Sequence, residues 1–499
     1  MEEVKRGAAH WTVFALALLA SATVAPASAR ADDGCLGSGT EATINAALVG
    51  AGAEAVLCPG AVFELHGPVV FRAPDQRLYT RGLPTDGTRA VLRIAHRDLT
   101  MAIDGNHQPG LVVENIQVDG DRPHLGFLSG PALLRMGWGG SNQTVQNIVA
   151  KNTRSWSTIH FGEGAVTGSV PQCQGGRIVG NQVGPAGSPD GTWADGISLA
   201  CGNSLVRNNS VRDATDGAIV VFGAPGSLIE ENTIIADTQQ LLGGINMVDF
   251  GPVNGNYAGT RVRANVIDAR NRFIKVAIGM GPQVWTCTTG TNVGGSVTNN
   301  TLRGLHMGYG YAVAGVRNWT VSGNVDVSRH VGRVGAGCAG TPSQPAGFQV
   351  QSALQSSLQS GFSPARLTYA LGVVEPPILQ VARPPAACTS MAADEGLYPG
   401  RSLSSCDGRF TLTLQGDGNL VLYQGRTALW QTRTTGKRSA VAIMQRDGNF
   451  VIYDETGTPI WATNTAGHPG ASLWVQNDGN LVVYDPVRRP LWASHTCCR

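Results

Sequence analysis

One nine-residue pattern, present in three copies late in the chain, carries side chains suited to binding a polyol. The copies read QGDGNLVLY at 415–423, QRDGNFVIY at 445–453 and QNDGNLVVY at 476–484. Each copy holds a carboxylate that accepts hydrogen bonds, two amides and a phenol that donate and accept, and one Val. Such a set fits the hydroxyl groups and the C–H face of a neutral sugar without a metal ion. The residues are Gln415, Asp417, Asn419, Val421 and Tyr423, then Gln445, Asp447, Asn449, Val451 and Tyr453, then Gln476, Asp478, Asn480, Val482 and Tyr484.

These side chains need strands to present them. Residues two apart on a strand face the same side, so we predict that the five positions of each copy face solvent. The interleaved residues, such as Leu420 and Leu422, then face a core. A turn at Asp-Gly-Asn is the alternative, but it leaves the recurring Gln, Val and Tyr unexplained. A Trp follows each copy, at Trp430, Trp461 and Trp492, which predicts three small sheets around a shared core.

A second repeat occupies about residues 100 to 330. Short runs of alternating Val or Ile meet one or two Asn at intervals of 23 to 35 residues, which is typical of stacked β-coils. We predict that each Asn adopts a left-handed corner and that its amide bonds its copy in the next coil. An ordinary β-sandwich is the alternative. The anchoring residues are Asn115, Asn147, Asn181, Asn209, Asn232, Asn265, Asn300 and Asn324.

The repeat region also offers candidates for acid–base chemistry. Asp195 and Asp216 lie 21 residues apart, close to one coil, so they could meet on neighbouring strands. Two carboxyl groups about 5 to 10 Å apart are the requirement for glycoside hydrolysis. Asp-Gly before an apolar strand is also an ordinary corner, so both readings stay open. Weaker candidates are Asp213, Glu230, Glu231, Arg270, Arg272 and Lys275. We expect His160 and His306 to be structural rather than catalytic.

Composition excludes several classes of protein. Charged residues make up 14 % of the chain and the net charge is +2, which argues against a coiled coil, a charged disordered chain and a basic nucleic-acid binder. No calcium-loop pattern occurs, so we infer neither a metal nor a cofactor. Residues 1–31 have basic Lys5 and Arg6, a short apolar run and small residues near Ala31, which predicts an export signal and a secreted, extracellular protein. No stretch is long enough to predict a membrane span.

Ten cysteines follow that signal, an even number that favours disulfides in an exported chain. Neighbours along the chain suggest the pairs Cys35–Cys58, Cys173–Cys201 and Cys287–Cys338. The last four, expected to tie the C-terminal region together, are Cys388, Cys406, Cys497 and Cys498.

Two family resemblances follow from these motifs. The pattern Q-x-D-x-N-x-V-x-Y resembles the mannose-binding signature of bulb-type (monocot mannose-binding) lectins over about residues 392 to 499. The resemblance implies a three-fold β-prism in which Asp417 and Asn419 hold the axial 2-hydroxyl of mannose. Gln415 and Tyr423 would hold its 3- and 4-hydroxyls, with Val421 beneath the ring. The other two copies would do the same.

The coils, together with the segment TEATINAALVGAGAEAVLCPGAVFEL, resemble the pectin-lyase-like parallel β-helix over about residues 35 to 375. The segment implies a short capping helix at Ala42–Leu48 before the first coil. RFIK at 272–275 resembles the Arg-x-Lys clamp of polygalacturonase-type hydrolases, but the His-bearing motif and the paired Asp-Asp of those enzymes are missing.

The sequence thus predicts an all-β protein: a right-handed parallel β-helix followed by a three-fold β-prism. The expected segments are a signal peptide at 1–31, the β-helix at 32–375, a stiff Pro-rich linker at 376–391 and the lectin domain at 392–499. The expected function is binding of mannose-containing glycans. The alternatives are a polysaccharide lyase or glycoside hydrolase that the lectin targets, and an adhesive or structural surface protein with a β-helix spacer.

Overall fold

The computed structural model describes residues 34–247, 251–286, 290–334, 357–358, 372–381, 385 and 389–497. The predicted export signal, the linker segments at 382–384 and 386–388, and the cysteines Cys287, Cys338, Cys388 and Cys498 lie outside these ranges. The described chain is all-β, with a parallel repeat region followed by antiparallel sheets.

Three parallel ladders build the repeat region, and each passage of the chain up to residue 313 adds one strand to each ladder. The first ladder runs from the start of Glu54–Leu65 through Arg77–Thr80, Val112–Glu114, Thr144–Gln146, Arg177–Val179, Leu205–Arg207, Leu228–Glu230, Arg261–Arg263, Ser296–Thr298 and Trp319–Ser322. The second runs from the end of Glu54–Leu65 through Val91–Ile94, Gln117–Asp119, Val149–Lys151, Gln182–Val183, Ser210–Arg212, Thr233–Ile235, Val266–Ala269, Thr301–Gly304 and Val325–Asp326. The third comprises Val69–Val70, Ile103–Asn106, Leu134–Gly137, Ser157–Gly162, Asp195–Leu199, Gly217–Val221, Leu241–Met247, Ile274–Met280 and Met307–Val313.

Short elements decorate these ladders. Leu36–Gly39 pairs with Glu54–Leu65, and a two-strand hairpin lies at Val166–Thr167 and Val170–Pro171. The other elements are the strands Asn292–Val293, Val316–Arg317, Arg333–Val334, Ser357–Leu358 and Val373–Val374, the helix Arg122–Leu125 and the 3-10 helix Pro282–Val284.

Stacked aliphatic side chains fill the space between the ladders. In the third ladder, Ile159, Ile197, Ile219, Ile245 and Ile278 lie in register on successive strands, and all five are fully buried. Burying a side chain of this size contributes about 1.5–3 kcal/mol, a gain that a single coil could not obtain alone. The register also holds successive strand starts of this ladder side by side.

The predicted Asn ladder exists over six of its eight members, joined at 2.9–3.0 Å from each Nδ2 to the next Oδ1. The bonded residues are Asn181, Asn209, Asn232, Asn265, Asn300 and Asn324. Asn115 and Asn147 occupy the preceding corner position instead, with φ of 49° and 53°. The prediction therefore merged two adjacent roles, because the left-handed residue and the ladder residue are neighbours in the chain.

The beginning of the repeat region is covered by a short helix, Glu41–Ala47, close to the expected position. Thr40 begins it, with its Oγ1 accepting from the N–H of Ala42 at 3.3 Å. Ile44 and Leu48 are buried against the first coils. The helix therefore shields apolar surface that the first coil would otherwise expose.

Two of the predicted disulfides are confirmed, Cys35–Cys58 and Cys173–Cys201. Cys406 is also disulfide-bonded. Cys497, however, is an exposed free thiol, so the expectation that all four C-terminal cysteines pair is wrong for this residue. A disulfide requires a second sulfur about 2 Å away, and no described cysteine supplies one there.

Three four-stranded sheets form the C-terminal region, as the Trp spacing predicts. The first contains Arg401–Ser404, Phe410–Leu414, Leu420–Gln424 and Thr427–Gln431. The second contains Gly396–Leu397, Ser439–Met444, Phe450–Asp454 and Pro459–Ala462. The third contains Ser390–Met391, Ser472–Val475, Leu481–Tyr484 and Pro490–Ala493. Trp430, Trp461 and Trp492 meet pairwise edge-to-face, with ring centroids 5.4–5.8 Å apart.

The two regions share buried contacts. Within the predicted Pro-rich linker, Pro377–Val381 forms a short helix whose Leu379 is buried in the core of the repeat region. Val441 and Ile443 of the second C-terminal sheet pack into the same core. Part of the predicted linker is therefore packed against the core, which a free spacer would not be. The predicted domain boundaries stay predictions.

Candidate functional site

Each nine-residue copy is a hairpin turn followed by a strand, which corrects the expectation of one continuous strand. In the first copy, the N–H of Gly418 donates to the carbonyl of Gln415 at 3.0 Å, and Gly418 has a φ of 90°. Asp417 Oδ1 accepts from the N–H of Asn419 at 2.9 Å and closes the turn. The strand begins only at Leu420. Because Gly at positive φ follows Asp in all three copies, the same turn forms three times.

The turn brings the Gln side chain of each copy next to the Tyr side chain of the same copy. Gln415 Nε2 donates to the hydroxyl of Tyr423 at 2.7 Å. The equivalent bonds join Gln445 to Tyr453 at 2.9 Å and Gln476 to Tyr484 at 3.0 Å. Each bond fixes two polar side chains whose remaining donor and acceptor positions are available to a ligand.

The Asn of each copy is held by the segment that follows the Trp-bearing strand. Asn419 Oδ1 accepts from Thr432 Oγ1 and from the N–H of Thr434, both at 3.1 Å. The same pattern holds Asn449, through Thr463 and Thr465, and Asn480, through Ser494 and Thr496. The amide is therefore preorganised, with its Nδ2 as the end that this segment leaves free.

One hairpin differs from the other two at this free end. In the first copy, Asn419 Nδ2 donates to Gln431 Oε1 at 2.8 Å. The residue that follows the Trp in the other copies is alanine, Ala462 and Ala493, which has no group to accept this bond. The first hairpin thus uses internally an amide that the other two leave available.

In the second and third copies the structure brings four of the five predicted residues to the surface together and buries the fifth. In the first copy it also buries Asn419, which is only 4 % exposed. The Asp residues are exposed, and the Gln and Tyr residues are half-buried. Val421, Val451 and Val482 are only 2–3 % exposed, so the expectation of a solvent-facing apolar patch is wrong. Each Val lies in a strand with neighbours on both sides; Val421 pairs with Thr413 and Gln431. We call the three clusters at 415–423, 445–453 and 476–484 the hairpin sites.

A separate groove of about 600 Å³ lies on the repeat region, and it contains both Asp195 and Asp216. Asp195 begins one strand of the third ladder, and Asp216 directly precedes the next strand. Asp195 Oδ1 accepts from the N–H of Gly217, the residue after Asp216, at 3.0 Å, and the charges of the two carboxyl groups interact. The groove is lined by Trp156, His160, Glu163, Trp193, Asp195, Asp216, Val220, Phe222, Leu242, Asn246, Pro252 and Trp285.

Burial governs the protonation of this pair. Burial raises the pKa of the Asp195 carboxyl well above its ordinary value, and the neighbouring Asp216 charge raises it further. The hydrogen bonds from Gly217 and Ser198 oppose this rise. Burial also raises the pKa of Asp216. Two coupled carboxyl groups with raised pKa values retain a shared proton more readily than exposed carboxylates do.

His160 lines the same groove but packs against aromatic rings. Its ring centroid lies 4.9 Å from that of Trp156 and 6.0 Å from that of Trp138. Burial lowers the pKa of His160 to about 4, with a smaller contribution from Arg135, so the imidazole is neutral at neutral pH. This agrees with the expectation that His160 is structural.

The weaker acidic candidates have structural partners away from the groove. Asp213 accepts from the N–H groups of Asp237 and Thr238 at 2.7 and 3.0 Å and so caps a loop. Glu230 pairs with two arginines, Arg207 and Arg263. Glu231 contacts Arg207 as well, at 3.3 Å. These carboxylates hold neighbouring coils together.

The basic candidates and the second His also lie outside the groove lining. Arg272 donates to the carbonyl of Thr238 at 3.2 Å, and Arg270 pairs with Asp268 at 3.2 Å. Burial lowers the pKa of the Lys275 ammonium. The His306 ring contacts Glu375 at 2.5 Å.

Sequence reasoning missed the aromatic and amide residues of the groove. Trp156 precedes Ser157, which pairs with Asp195 across the third ladder, and Trp193 lies two residues before Asp195. Two tryptophans placed just before adjacent strand starts were a usable signal once the coil register was known. Trp285 and Asn246 come from later coils, and no local pattern marked them.

Two features are absent from the described residues, a helix that could span a membrane and a cluster of metal ligands. Within the described ranges, no helix combines the length and the apolar character needed to cross a membrane. No group of three or more His, Cys, Asp or Glu side chains there could hold a metal ion.

Comparison with known proteins finds local similarity. No model of a known protein family matches the chain. A stretch of 72 residues is 42 % identical to a mannose-specific lectin of Dendrobium findlayanum and covers 13 % of this chain and 43 % of that protein. The mannose-specific lectin of Galanthus nivalis is 41 % identical over 70 residues, covering 13 % and 45 %. Curculin-2 of Molineria latifolia is 41 % identical over 66 residues, covering 13 % and 40 %.

Solved structures match a larger share of both chains. Monomeric monocot mannose-binding lectins from Gastrodia elata are 38 % identical and cover 22 % of this chain and 99 % of their own, with a TM-score of 0.21. The snowdrop (Galanthus nivalis) agglutinin complexed with methyl-α-D-mannoside is 37 % identical, with the same coverage and a TM-score of 0.19. The chain spans less than half the length of the curated relatives described above. About 13 % of this chain is thus similar in sequence to proteins named mannose-specific lectins.

Proposed function

We propose that this chain is a secreted carbohydrate-binding protein that recognises mannose-type glycans through the three hairpin sites. In this proposal the C-terminal region is a three-fold β-prism on a right-handed parallel β-helix, and residues 1–31 are a removed export signal. The observation that supports it most is the threefold repetition of one hydrogen-bond arrangement, in which Gln bonds Tyr and a turn Asp stands beside a fixed Asn. Local identity to mannose-specific lectins supports the choice of sugar.

Each side chain has a role in this proposal. In the second hairpin site, the exposed carboxylate of Asp447 accepts from the axial 2-hydroxyl of mannose, and Asn449 Nδ2 donates to it. Gln445 and Tyr453 bind the 3- and 4-hydroxyls with the hydrogen-bond positions that their mutual bond leaves open. Val451 packs beneath these polar groups as part of the sheet. Glucose has an equatorial 2-hydroxyl, so the same site should bind it more weakly.

Three weak sites on one small domain gain strength together. A branched or polymeric glycan that reaches two sites pays the cost of association once, because the second contact is intramolecular. The proposed ligand is therefore a surface rich in terminal mannose rather than a single free sugar. In this view the repeat region supports the C-terminal region, which contains the hairpin sites.

The test is binding of the full-length protein to a mannan-coated surface. The triple variant Asp417→Asn, Asp447→Asn and Asp478→Asn keeps an oxygen that can close each turn but removes the charge. A hydrogen bond to a charged group contributes about 1.5–3 kcal/mol, so each site should weaken by about 10–100-fold and surface binding should disappear.

A matched control uses turn carboxylates in the same sheets. Asp454 Oδ1 accepts from the N–H groups of Thr456 and Thr458 at 2.9 and 2.8 Å, and Asp485 Oδ1 accepts from that of Arg489 at 2.7 Å. The variant Asp454→Asn with Asp485→Asn should bind mannan as the parent does. Undiminished binding by the triple variant would remove the proposal.

A further inference from the structure

We propose that the groove around Asp195 and Asp216 is a second carbohydrate site, separate from the hairpin sites, that hydrolyses a neutral polysaccharide. The proposal rests on the shape and lining of the groove, on its unpartnered polar atoms and on the sign of its charges. None of these features depends on the hairpin sites.

The lining matches the two faces of a sugar ring. Trp193 and Trp156 are 41 % and 37 % exposed, which is unusual for such large apolar side chains on a well-packed ladder. With Phe222 they give the groove flat apolar surfaces on which the C–H face of a sugar could lie. A volume of about 600 Å³ is within the range of ligand pockets and accommodates more than one sugar unit.

Two buried polar atoms in the groove lack a partner among the residues that the structure describes. These are Oδ1 of Asn246, which is 4 % exposed, and Nε1 of Trp285, which is 9 % exposed. An unpaired buried polar group costs about 1–3 kcal/mol, so such groups are uncommon unless a ligand completes them. One of these atoms accepts and the other donates, as a hydroxyl-rich ligand requires.

Two glycines make room for this arrangement. A Cβ on Gly243 would collide with the amide of Asn246, and a Cβ on Gly217 would lie 2.7 Å from Asn246 Nδ2. Neither residue has a positive φ, so backbone conformation alone does not require glycine at these positions. Because these two glycines have no side chain, Asn246 has space beside the carboxyl pair.

The charges exclude a polyuronate as the preferred ligand. The ionisable side chains of the lining are Asp195, Asp216, Glu163 and His160, and none of the lining residues in the described chain is Lys or Arg. An anionic sugar would meet carboxyl groups without a compensating cation, whereas a neutral sugar meets only hydrogen-bond partners. The geometry therefore points to a neutral glycan.

The reaction needs only water as co-reactant. Neighbouring strands lie about 4.8 Å apart, so both carboxyl groups can reach one glycosidic linkage. The proton held by the pair passes to the glycosidic oxygen, which leaves with the electron pair of the broken C–O bond. Water adds to the anomeric carbon, and its surplus proton returns to the ionised carboxylate, which restores the pair.

The experiment measures new reducing ends released by the full-length protein from neutral polysaccharides, namely yeast mannan, galactomannan, xylan and β-glucan. Polygalacturonate and alginate are the anionic comparators. We expect release from at least one neutral polymer and a loss of about 100-fold or more in Asp195→Asn and in Asp216→Asn. Trp193→Ala should raise KM more than it lowers kcat, because it removes a surface that contacts the sugar but does no chemistry.

Controls separate this proposal from the hairpin sites and from misfolding. Asp98→Asn changes an exposed carboxylate outside the groove lining and should keep full activity. The triple hairpin variant should still release reducing ends from a soluble oligosaccharide of the cleaved polymer. No release from any neutral polymer, or unsaturated products from the polyuronates, would overturn the proposal while leaving mannose binding untouched.

Discussion

The hairpin sites and the groove are both proposed to bind carbohydrate, but their acidic side chains lie in opposite environments. At the hairpin sites the charged group, such as Asp447, is exposed, and its polar neighbours already hold one another. In the groove Asp195 is buried and Asp216 is half-buried, and Asn246 and Trp285 carry polar atoms without described partners. Holding a ligand at equilibrium needs only preorganised surface groups, whereas acid–base chemistry needs groups whose pKa values burial has shifted. A site made of surface groups can recur wherever its short motif recurs. A buried acid–base site also depends on the surrounding coils that shift its pKa values.

The largest expected effect comes from a substitution in the Trp cluster, which supports all three hairpin sites. Trp461 contacts Trp430, Trp492 and Phe450, with centroid distances of 5.5, 5.8 and 6.3 Å. Trp461→Ala should destabilise the C-terminal region by about 2 kcal/mol or more, since it removes three ring contacts where the sheets meet. Thermal unfolding followed by tryptophan fluorescence should show the C-terminal transition shifted downward.

In the same variant, the activity proposed for the groove should be retained at temperatures below the transition. An equal loss of mannan binding and of polysaccharide cleavage would contradict the separation of the hairpin sites from the groove. Retention of the original C-terminal transition would contradict the packing role of the Trp cluster.

A smaller effect concerns the stability of the fold, which the burial of Asp195 lowers at neutral pH. The raised pKa of Asp195 means that, above the unfolded pKa of about 3.9, the folded state must either keep a proton or bury a charge. The contribution of this group to stability therefore falls as pH rises from about 4 through the folded pKa. Asp195→Asn should raise the thermal midpoint at pH 7, and the gain should vanish near pH 3, where both carboxyls are protonated.

Asp213→Asn provides the contrast for that measurement. Asp213 is also buried, but it accepts three backbone N–H groups and a hydroxyl from residues 237–239, so its replacement should lower the midpoint. A midpoint for Asp195→Asn that drops at pH 7 would show that the carboxylate is mainly structural.

The smallest expected effect concerns the hydrogen bond that distinguishes the first hairpin site from the other two. Gln431→Ala removes the acceptor of the bond from Asn419 Nδ2 and makes the first site resemble the other two. We expect a gain of a few-fold in affinity for methyl α-mannoside at this site, because about 1 kcal/mol of internal bonding no longer competes. Site-resolved NMR titration would report it, and an unchanged or lower affinity would contradict the proposed role of the Asn amide.

The sequence allowed much of the fold to be predicted where one signal repeated. Alternating Val and Ile indicated the ladders, and Trp430, Trp461 and Trp492 indicated three sheets around one core. The turn at Asp417–Asn419 was misassigned to a strand because period-two spacing also describes a turn followed by a strand. Asn115 was misassigned because the left-handed corner and the ladder position differ by a single residue.

The groove shows why the site was harder to predict than the fold. The distance of 21 residues between Asp195 and Asp216 suggested one coil, and the structure brings both residues into the groove. Trp285 and Asn246 join them from coils of different length, so no fixed spacing connects these residues in the sequence. Their meeting depends on the register of the third ladder, which only the structure provides.

The most direct measurement of the central claim is the number of methyl α-mannoside molecules that bind one full-length chain. The account predicts three, and two after Asp417→Asn, Asp447→Asn or Asp478→Asn alone, with the thermal midpoint unchanged in each variant. Calorimetry at saturating sugar, checked by equilibrium dialysis, gives this number directly. No detectable mannoside binding, or a stoichiometry that none of the three substitutions alters, would contradict the claim that the three hairpins are the sugar sites.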